Sequence, residues 1–300
     1  MQLITVGEIT LNERVLAARF LRGSGIEIGA GHVPIEVDER CCAVRYVDRL
    51  DAAEIGARFP ELQGAPIVPV DMICDVAVEG LRPFPSESLD FVVASHLLEH
   101  LPDPLGFLNE CHRTLRDKGI LYLATPDKDF TFDRERPRTP LSHIISDFER
   151  RVTSVDEEHL IDFITRAGKK QIPEDPAERE KLFQLEMARS IHVHVWTWND
   201  MIELLEHTVG GMGLSWELVE AYLPKGVKNE AVFILQKTDV PLEAAIARLD
   251  ASLRVLLERE EALEALIRIA RDGLPEPDGK QRLWWRRVPA AISARKGPRR

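Results

Sequence analysis

The feature that most constrains this chain is an alternation, between residues 24 and 124, of apolar runs with amphipathic helical patterns. A helix is predicted over 104–115, where apolar residues repeat on one face and Gly119 closes the following turn. The apolar runs have the length of strands, and they predict five of them, at 26–28, 43–47, 67–70, 89–94 and 120–124. This alternation is typical of a doubly wound α/β fold, in which helices cover both faces of a parallel sheet.

The alternation stops between residues 126 and 194, where a long polar, proline-punctuated and apparently helical segment intervenes. We expect residues 128–196 to form an insertion that acts as a substrate wall or lid. The strand pattern resumes at 214–222 and 231–235, after a helix near 199–209. The turn Pro224-Lys225-Gly226 between these strands predicts an antiparallel hairpin that closes a seven-stranded sheet. The catalytic domain would then span residues 1–239.

The C-terminal region has two parts of different character. Residues 240–272 follow a heptad pattern, which predicts a coiled coil or a docking helix and so a homodimer or protein partner. Position d holds Leu242, Leu249, Leu256, Leu263 and Ala270, and position a holds Ile246, Leu253, Glu260 and Ile267. The tail at 273–300 is basic: residues 280–300 carry a charge of +8, whereas residues 1–279 carry −19. We expect the tail to contact an acidic surface of its own body or a partner, with disorder and a membrane-surface contact as alternatives.

Composition excludes several classes of protein. The chain is 44% hydrophobic and 30% charged, and no run approaches the roughly 18 apolar residues of a membrane span. The N-terminus lacks the basic residues, apolar run and cleavage site of a secretory signal. The net charge of −11 argues against nucleic acid as a partner. We therefore expect a cytoplasmic protein.

A glycine turn carries the first chemical signal. Glu27-Ile28-Gly29-Ala30-Gly31 follows the first predicted strand, and Asp48 ends the second, 17 residues after Gly31. Small residues let the backbone approach a ligand closely, and an acid at the end of the second strand can accept both ribose hydroxyls. The pattern predicts a nucleoside site, although nicotinamide-binding folds use the same turn and a tight turn can also occur without a ligand.

The residues that follow the turn disfavour a pyrophosphate. The third glycine position of the longer E-x-G-x-G-x-G pattern is Val33, Pro34 follows it, and too few residues remain for a full helix before the second strand. A pyrophosphate is normally held at such a helix N-terminus. A cofactor without phosphates needs only the turn, the ribose acid and an acid for the adenine amino group. Asp71, beside Met72, is predicted to end the third strand and to supply that acid.

At this point the sequence resembles the class I methyltransferases that use S-adenosylmethionine. The likeness is carried by LDFVVASHLLEHLPDP at 89–104, which contains the Leu-Glu-His-Leu segment of one broad subgroup, and by LRDKGIL at 115–121. With the glycine turn these motifs cover roughly 100 residues in order. The resemblance implies a Rossmann-like fold, S-adenosyl-L-methionine as cofactor and S-adenosyl-L-homocysteine as product.

The resemblance also implies roles for particular residues. The methionine moiety would be bordered by Glu27, Gly29 and Gly31. The ribose would be held by Asp48 and the adenine by Asp71 and Met72. Ser95 and His96 would line the site beneath the sulfonium.

One motif suggests a different chemistry. His96, Glu99 and His100 fit the H-x-x-E-H pattern of some zinc peptidases, whose histidines share one helix face. Here the motif follows a buried strand, and the sequence identifies no third ligand. We expect Glu99 and His100 to fix the junction between strand and helix, and we expect no metal.

The segment at 125–143 mixes aromatic, charged and histidine groups after the fifth strand, where open α/β sheets place ligands. It also resembles a subset of methyltransferase-like proteins associated with bacterial glycan assembly. A hydroxyl acceptor needs a base, and histidine suits that task near neutral pH. His143 is the first candidate; His192 and His194, which would share a face in a strand, are the second. Any of the three could instead be a surface or hydrogen-bonded core residue.

The sequence thus predicts a methyltransferase that acts on a hydroxyl of a sugar or a sugar-containing metabolite. The acceptor would be a small molecule or a glycan. The alternatives are a nicotinamide-dependent oxidoreductase, disfavoured by Val33, and a noncatalytic adaptor that keeps the nucleoside fold for binding.

Overall fold

The computed structural model describes residues 4–6, 9–11, 13–62, 64–224 and 229–272. Seven strands form one sheet: β3 (Gly23–Ile28), β4 (Cys42–Asp48), β5 (Met72–Ile73), β6 (Leu89–Ser95), β7 (Leu115–Pro126), β8 (Trp216–Tyr222) and β9 (Glu230–Lys237). Their order is β5-β4-β3-β6-β7-β9-β8; the first five in this order pair in parallel, and β9 pairs antiparallel with both β7 and β8. The predicted doubly wound α/β sheet with a closing hairpin is confirmed.

A separate two-stranded hairpin and nine α-helices complete the described part of the chain. The hairpin comprises β1 (Ile4–Val6) and β2 (Ile9–Leu11). The helices are α1 (Glu13–Ala18), α2 (Ala52–Arg58), α3 (Val76–Glu79), α4 (Pro104–Thr114), α5 (Leu141–Arg150), α6 (Glu157–Asp162), α7 (Pro176–Ala188), α8 (Trp198–Gly210) and α9 (Leu242–Asp272).

The central strand β6 shows why the apolar runs are continuous. Val92 and Ala94 pack in one hydrophobic cluster, whereas Phe91 and Val93 pack in another on the opposite face of the sheet. All four side chains are fully buried. A strand covered on both faces has no solvent side, so polar residues do not alternate along it.

The third predicted strand is wrong in position. Residues 67–70 form no strand, and β5 is only the pair Met72–Ile73. Pro66 and Pro69 lack an N–H, which removes ladder donors from this stretch. Asp71 therefore precedes β5 instead of ending it. Cys74 and Asp75 are the residues that follow this strand.

The insertion is helical, as predicted, and has a small core of its own. It contains α5, α6, a π-helical turn (Phe163–Ala167) and α7. Its buried apolar cluster consists of Leu160, Ile164, Phe183, Ile191 and Val193. The predicted strand geometry around His192 is wrong, because residues 191–196 form an irregular segment.

The heptad helix α9 packs on its own domain over its first half. Ala245, Leu249, Leu253 and Leu256 are buried in the main core, which supports the docking alternative for this part. The side chains beyond residue 262, the turn at 225–228 and the basic tail at 273–300 lie outside the described residues, so the coiled coil and the tail contact stay predictions. Among the helices that the structure describes, none is long and apolar enough to cross a membrane.

Candidate cofactor and acceptor site

The glycine turn lies at the carboxyl edge of the sheet. Because β3 is paired in parallel with both β4 and β6, their ends bring Gly29, Asp48 and Ser95 to one edge. Gly29 and Gly31 have φ angles of 70° and 55°, a backbone region that favours glycine. A Cβ atom built on Gly29 would meet nothing within 4 Å, and one on Gly31 would meet only the Gly29 carbonyl oxygen, at 4.0 Å. The turn thus faces open space, as close approach of a ligand requires.

Glu27 binds the backbone of the loop that connects β3 to β4, where a helix would otherwise follow the glycine turn. Its side chain is buried, and its two oxygens lie 3.0 and 3.1 Å from the backbone nitrogen of Ile35, which donates to them. Burial is the main cause that raises the pKa of Glu27 to about 7, against the hydrogen bond from Ile35 and the charge of Arg14. A carboxylate kept in such a site favours a positively charged ligand group nearby.

Asp48 ends β4 and turns its carboxylate toward the same edge. Its Oδ1 atom accepts a hydrogen bond of 3.1 Å from the backbone N–H of Leu50. Burial raises the pKa of Asp48, and the charge of Asp75 raises it further. Asp48 and Asp75 are therefore electrostatic neighbours.

The predicted adenine acid occupies a different place. The Oδ2 atom of Asp71 accepts a hydrogen bond of 2.7 Å from the N–H of Tyr46, so this carboxylate is engaged by the backbone of β4. Met72 is half-buried and packs against the main core. Asp75 follows β5 and caps α3 by accepting from the N–H of Ala77. Sequence reasoning missed Asp75, although an Asp before a short helical pattern is an N-cap signal that could have found it.

Ser95 and His96 are held by residues from distant parts of the chain. The guanidinium of Arg14 donates to the Ser95 hydroxyl and lies 3.6 Å from Glu230. His96 has a φ of 51°, and its Nε2 atom lies 2.7 Å from Glu230 Oε2. Its Nδ1 atom lies 3.4 Å from Glu99 Oε1. Arg14 and Glu230 had no signal in the sequence.

The charge of His96 follows from these neighbours. Burial lowers the pKa of His96, but hydrogen bonds to the carboxylates of Glu230 and Glu99 outweigh burial and raise it to about 9. His96 is then an imidazolium at neutral pH. It can donate hydrogen bonds, but it cannot accept a proton from a substrate.

Glu99 and His100 join the insertion to the sheet. The carbonyl oxygen of Glu99 accepts from the N–H groups of Val193 and His194, and His100 Nδ1 lies 2.9 Å from the Ile191 carbonyl oxygen. Glu99 and His100 lie at the junction after β6, as expected, and they also bind the backbone of the insertion. Residues Leu98–His100 form a single 3₁₀ turn, so the helix face of a zinc peptidase is not formed.

His192 reaches this junction from the insertion. Its ring lies 4.9 Å from the ring of His100, centroid to centroid. One ligand atom each from Glu99, His100 and His192 lie within 4.8 Å of one another, so these residues could hold a metal cation. His192 Nδ1 lies 2.6 Å from Asp133 Oδ2.

Asp133, the partner of His192, is itself held by a second side chain. Asp133 is buried, and its Oδ1 atom accepts a hydrogen bond of 2.8 Å from Arg136. A carboxylate at Nδ1 holds the ring and leaves Nε2 free to accept a proton. Phe132, which is 57% exposed, packs 4.8 Å from the His192 ring and supplies an apolar surface beside it.

The other two candidate bases lie in a separate group. His143 and His194 both place Nε2 near Asp147 Oδ2, at 3.0 and 3.2 Å. His194 is buried, and burial lowers its pKa. The structure therefore separates His192 from His143 and His194.

Comparison with known proteins identifies the segment that carries this edge of the sheet. Residues 26–123 match the family model described as "Methyltransferase domain". This stretch is a methyltransferase domain. It runs from β3 to β7 and contains the glycine turn, Asp48 and His96.

The curated relatives define its class. One is named "Probable S-adenosylmethionine-dependent methyltransferase", from Mycobacterium tuberculosis, and is 29% identical over 148 residues, which are 47% of each chain. Another is a ubiquinone biosynthesis O-methyltransferase of Pseudomonas aeruginosa, 28% identical over 104 residues, which are 35% of this chain and 44% of the relative. The matches thus span about half the length of these relatives or less. The matched segment is of the S-adenosylmethionine-dependent class I type, and its cofactor is S-adenosyl-L-methionine.

Two solved structures are similar to this chain at low sequence identity. A methyltransferase of Methanosarcina mazei is 17% identical, with coverage of 74% of this chain and 97% of that one and a TM-score of 0.39. A Rhodobacter sphaeroides protein named after the zinc-dependent alcohol dehydrogenases is 15% identical, with coverage of 74% and 88% and a TM-score of 0.46.

The residues at the sheet edge fit this cofactor. The open turn at Gly29 and Gly31 admits a ligand without phosphates, the buried Glu27 favours its ammonium group, and Asp48 is placed to accept ribose hydroxyls.

Proposed function

We propose that this protein transfers the methyl group of S-adenosylmethionine to a hydroxyl of a sugar or a glycan-related metabolite, with His192 as the general base. The observation that carries the proposal is the Asp133–His192 pair, which lies beside His100 at the junction after β6. The methyltransferase domain supplies the cofactor site, and the insertion supplies the base and the substrate wall.

The cofactor supplies an electrophilic methyl group on a sulfonium. Gly29 and Gly31 leave room for its amino-acid end, and Glu27 and Asp48 bind its ammonium and ribose. Asp75 is proposed to serve the adenine in place of Asp71, because Asp75 is the acid that follows β5. These groups align the methyl carbon for in-line attack.

His192 is the proposed acceptor of the hydroxyl proton. His192 Nε2 would accept the proton of the acceptor hydroxyl while the methyl group passes to the hydroxyl oxygen and S-adenosylhomocysteine leaves. Asp133 holds the opposite nitrogen and stabilises the imidazolium that results. Positively charged His96 cannot compete for this proton, and its N–H groups are held by Glu230 and Glu99.

Two further observations support a hydroxyl acceptor of this class. The exposed ring of Phe132 beside His192 offers a surface for the apolar face of a sugar ring. The relatives of Pseudomonas aeruginosa are named as O-methyltransferases. His143 and His194 stay as alternative bases, but both place Nε2 beside Asp147, and His194 is buried. The match to a methyltransferase domain does not favour the oxidoreductase or the adaptor.

Radiolabelled methyl transfer tests the proposal. The purified full chain is incubated with S-adenosylmethionine labelled in the methyl group and a panel of nucleotide sugars, oligosaccharides, phenols and amines. We expect label on a hydroxyl compound, with S-adenosylhomocysteine formed in equal amount. Label on amines alone would contradict O-methylation, and label on phenols alone would contradict the sugar class.

A further inference from the structure

A second group of histidines lies inside the insertion. His143 and Asp147 come from α5, His159 comes from α6 and His194 comes from the segment at 191–196. We refer to these three histidines, together with Asp147, as the three-histidine cluster. The ring centroids of the histidines form a nearly regular triangle, with sides of 5.1, 5.7 and 5.6 Å.

The fourth residue of the cluster is placed between two of the rings. Asp147 Oδ2 lies 3.0 Å from His143 Nε2 and 3.2 Å from His194 Nε2. The other carboxylate oxygen, Oδ1, accepts a hydrogen bond from Arg150. Asp147 is buried, so its negative charge is shielded little by water.

Neighbouring acceptors fix which nitrogen carries the proton. His194 Nδ1 lies 3.0 Å from the carbonyl oxygen of Leu101, and His159 Nδ1 lies 2.7 Å from Asp156 Oδ1. An acceptor at Nδ1 requires a proton there and leaves the lone pair of Nε2 unused. For the neutral His194 ring this lone pair faces the Asp147 oxygen, and two lone pairs at that distance repel unless a proton or a metal cation lies between them.

The same arrangement is typical of metal-binding histidines. Their second nitrogen donates to a carbonyl or carboxylate, which orients the ring and makes it a better ligand. Zinc binds imidazole nitrogen and carboxylate oxygen at about 2.0 to 2.2 Å, which separates tetrahedral ligand atoms by roughly 3.4 Å and ring centroids by roughly 5 Å. The histidine ligand atoms of the cluster already lie within 4.8 Å of one another. A shift of about 1 Å would complete the geometry.

We propose that the three-histidine cluster is a closed zinc site in which His143, His159, His194 and Asp147 are the four ligands. Four protein ligands leave no open position for a substrate, so the site is structural. Zinc would join α5, α6 and the segment at 191–196. That segment also carries His192 and contacts His100, so the metal would hold the wall of the acceptor site in place.

Zinc binding tests the site directly. The full chain is freed of any affinity tag, stripped of metal with a chelator and titrated with zinc alone in the presence of a competing chelator of known affinity. Cobalt is added to a second sample, because cobalt in a tetrahedral site gives intense visible absorption that zinc abolishes on displacement. The cobalt spectrum needs no variant and is independent of any folding defect.

The matched variants separate this site from the group of Glu99, His100 and His192. His159→Ala removes a proposed ligand, and Asp156→Asn weakens only its orientation. His100→Ala alters the other group, and His207→Ala changes a histidine that lies in neither. Circular dichroism checks that each variant folds.

We expect His159→Ala to weaken zinc binding by roughly 10²-fold or more and Asp156→Asn by about 10- to 100-fold, the range for loss of an orienting partner. His100→Ala and His207→Ala should bind zinc at this site as the parent does. Equal zinc affinity in the parent and folded His159→Ala, or a cobalt spectrum without tetrahedral bands, would overturn the proposal. Methyl transfer is not needed for any of these measurements, so the site and the proposed function can fail separately.

Discussion

The carboxyl edge of the sheet and the insertion differ in the partners that satisfy their polar side chains. At the edge, Glu27 and Asp48 accept mainly from backbone N–H groups, and the glycine turn faces open space. In the insertion, charged side chains pair with one another: Arg136 contacts both Asp133 and Asp162. Glu27, the glycine turn and Asp48 are thus placed by strand ends and loops, whereas the insertion is held by a side-chain network. The first should tolerate side-chain loss with little change in stability, and the second should not.

The largest expected effect is on the stability of the insertion. Arg136 has a side chain that is 1% exposed, and its removal leaves buried Asp133 without its cation. Arg136→Ala should lower the free energy of unfolding by about 3 to 5 kcal/mol, the range for a broken buried pair. Urea denaturation measures this change. Arg138→Ala is the control, because Arg138 is 61% exposed and pairs with Asp200 at the surface, where a loss below about 1 kcal/mol is expected. Equal losses in the two variants would remove the contrast.

The next effect is on turnover. His192→Ala should lower kcat by roughly 10²-fold or more and leave the affinity for S-adenosylhomocysteine unchanged, because a general base acts on the acceptor and not on the cofactor. The measurement uses the acceptor found in the labelling experiment. His143→Ala should have the smaller effect, since His143 pairs with Asp147 in the other cluster. A larger loss of turnover in His143→Ala than in His192→Ala would contradict His192 as the base.

The same contrast explains what could be predicted from sequence. The strands, the turn at Gly29 and the acid at Asp48 depend on local apolar periodicity and on residues that follow a strand directly, so the pattern contained them. The misplacement of the third strand came from apolar residues interrupted by Pro66 and Pro69, which keep the backbone out of the ladder.

Contacts between side chains distant in sequence could not be found in this way, either at the edge of the sheet or in the insertion. The Ser95 hydroxyl accepts from Arg14, 81 positions earlier, and His96 pairs with Glu230, 134 positions later. Such contacts are set by tertiary packing and leave no spacing in the sequence. The two histidines at 192 and 194 were assigned to one face by assuming a strand, but the irregular segment sends them to different partners.

The cofactor edge should show a smaller effect, and on binding only. Asp48→Ala should weaken S-adenosylhomocysteine binding by about 1 to 3 kcal/mol through the loss of charge-assisted hydrogen bonds. Asp75→Ala should weaken it more than Asp71→Ala, since Asp75 follows β5 and is an electrostatic neighbour of Asp48, whereas Asp71 precedes β5. Isothermal titration of the folded variants measures all three. An unchanged affinity for Asp48→Ala would remove Asp48 from the site.

The smallest effect concerns Glu27 and depends on pH. Its pKa in the folded chain, about 7, lies above its ordinary value of 4.5, so the folded state holds the proton more tightly than the unfolded state does. Its contribution to stability is therefore most favourable below pH 4.5 and declines as the pH rises to 7. Glu27→Gln should be more stable than the parent at pH 8, with no gain at pH 4.

The same substitution should weaken binding of the cofactor. Ionised Glu27 favours the ammonium group, so S-adenosylmethionine should bind the parent more tightly as the pH rises through 7, whereas Glu27→Gln should show a flatter dependence. Urea denaturation at both pH values and titration across this range measure the two effects. Parallel pH profiles for the parent and the variant would show that Glu27 does not titrate in the folded chain.

Calorimetric titration of the unmodified full chain measures whether the carboxyl edge of the sheet binds S-adenosylmethionine. S-adenosylmethionine, S-adenosylhomocysteine and NAD are each titrated into the same preparation. We expect saturable binding of the first two at one site per chain and no binding of NAD, because Val33 and the absent helix after β3 leave no place for a pyrophosphate. Binding of NAD, or no heat with either sulfur compound, would show that this edge is not an S-adenosylmethionine site.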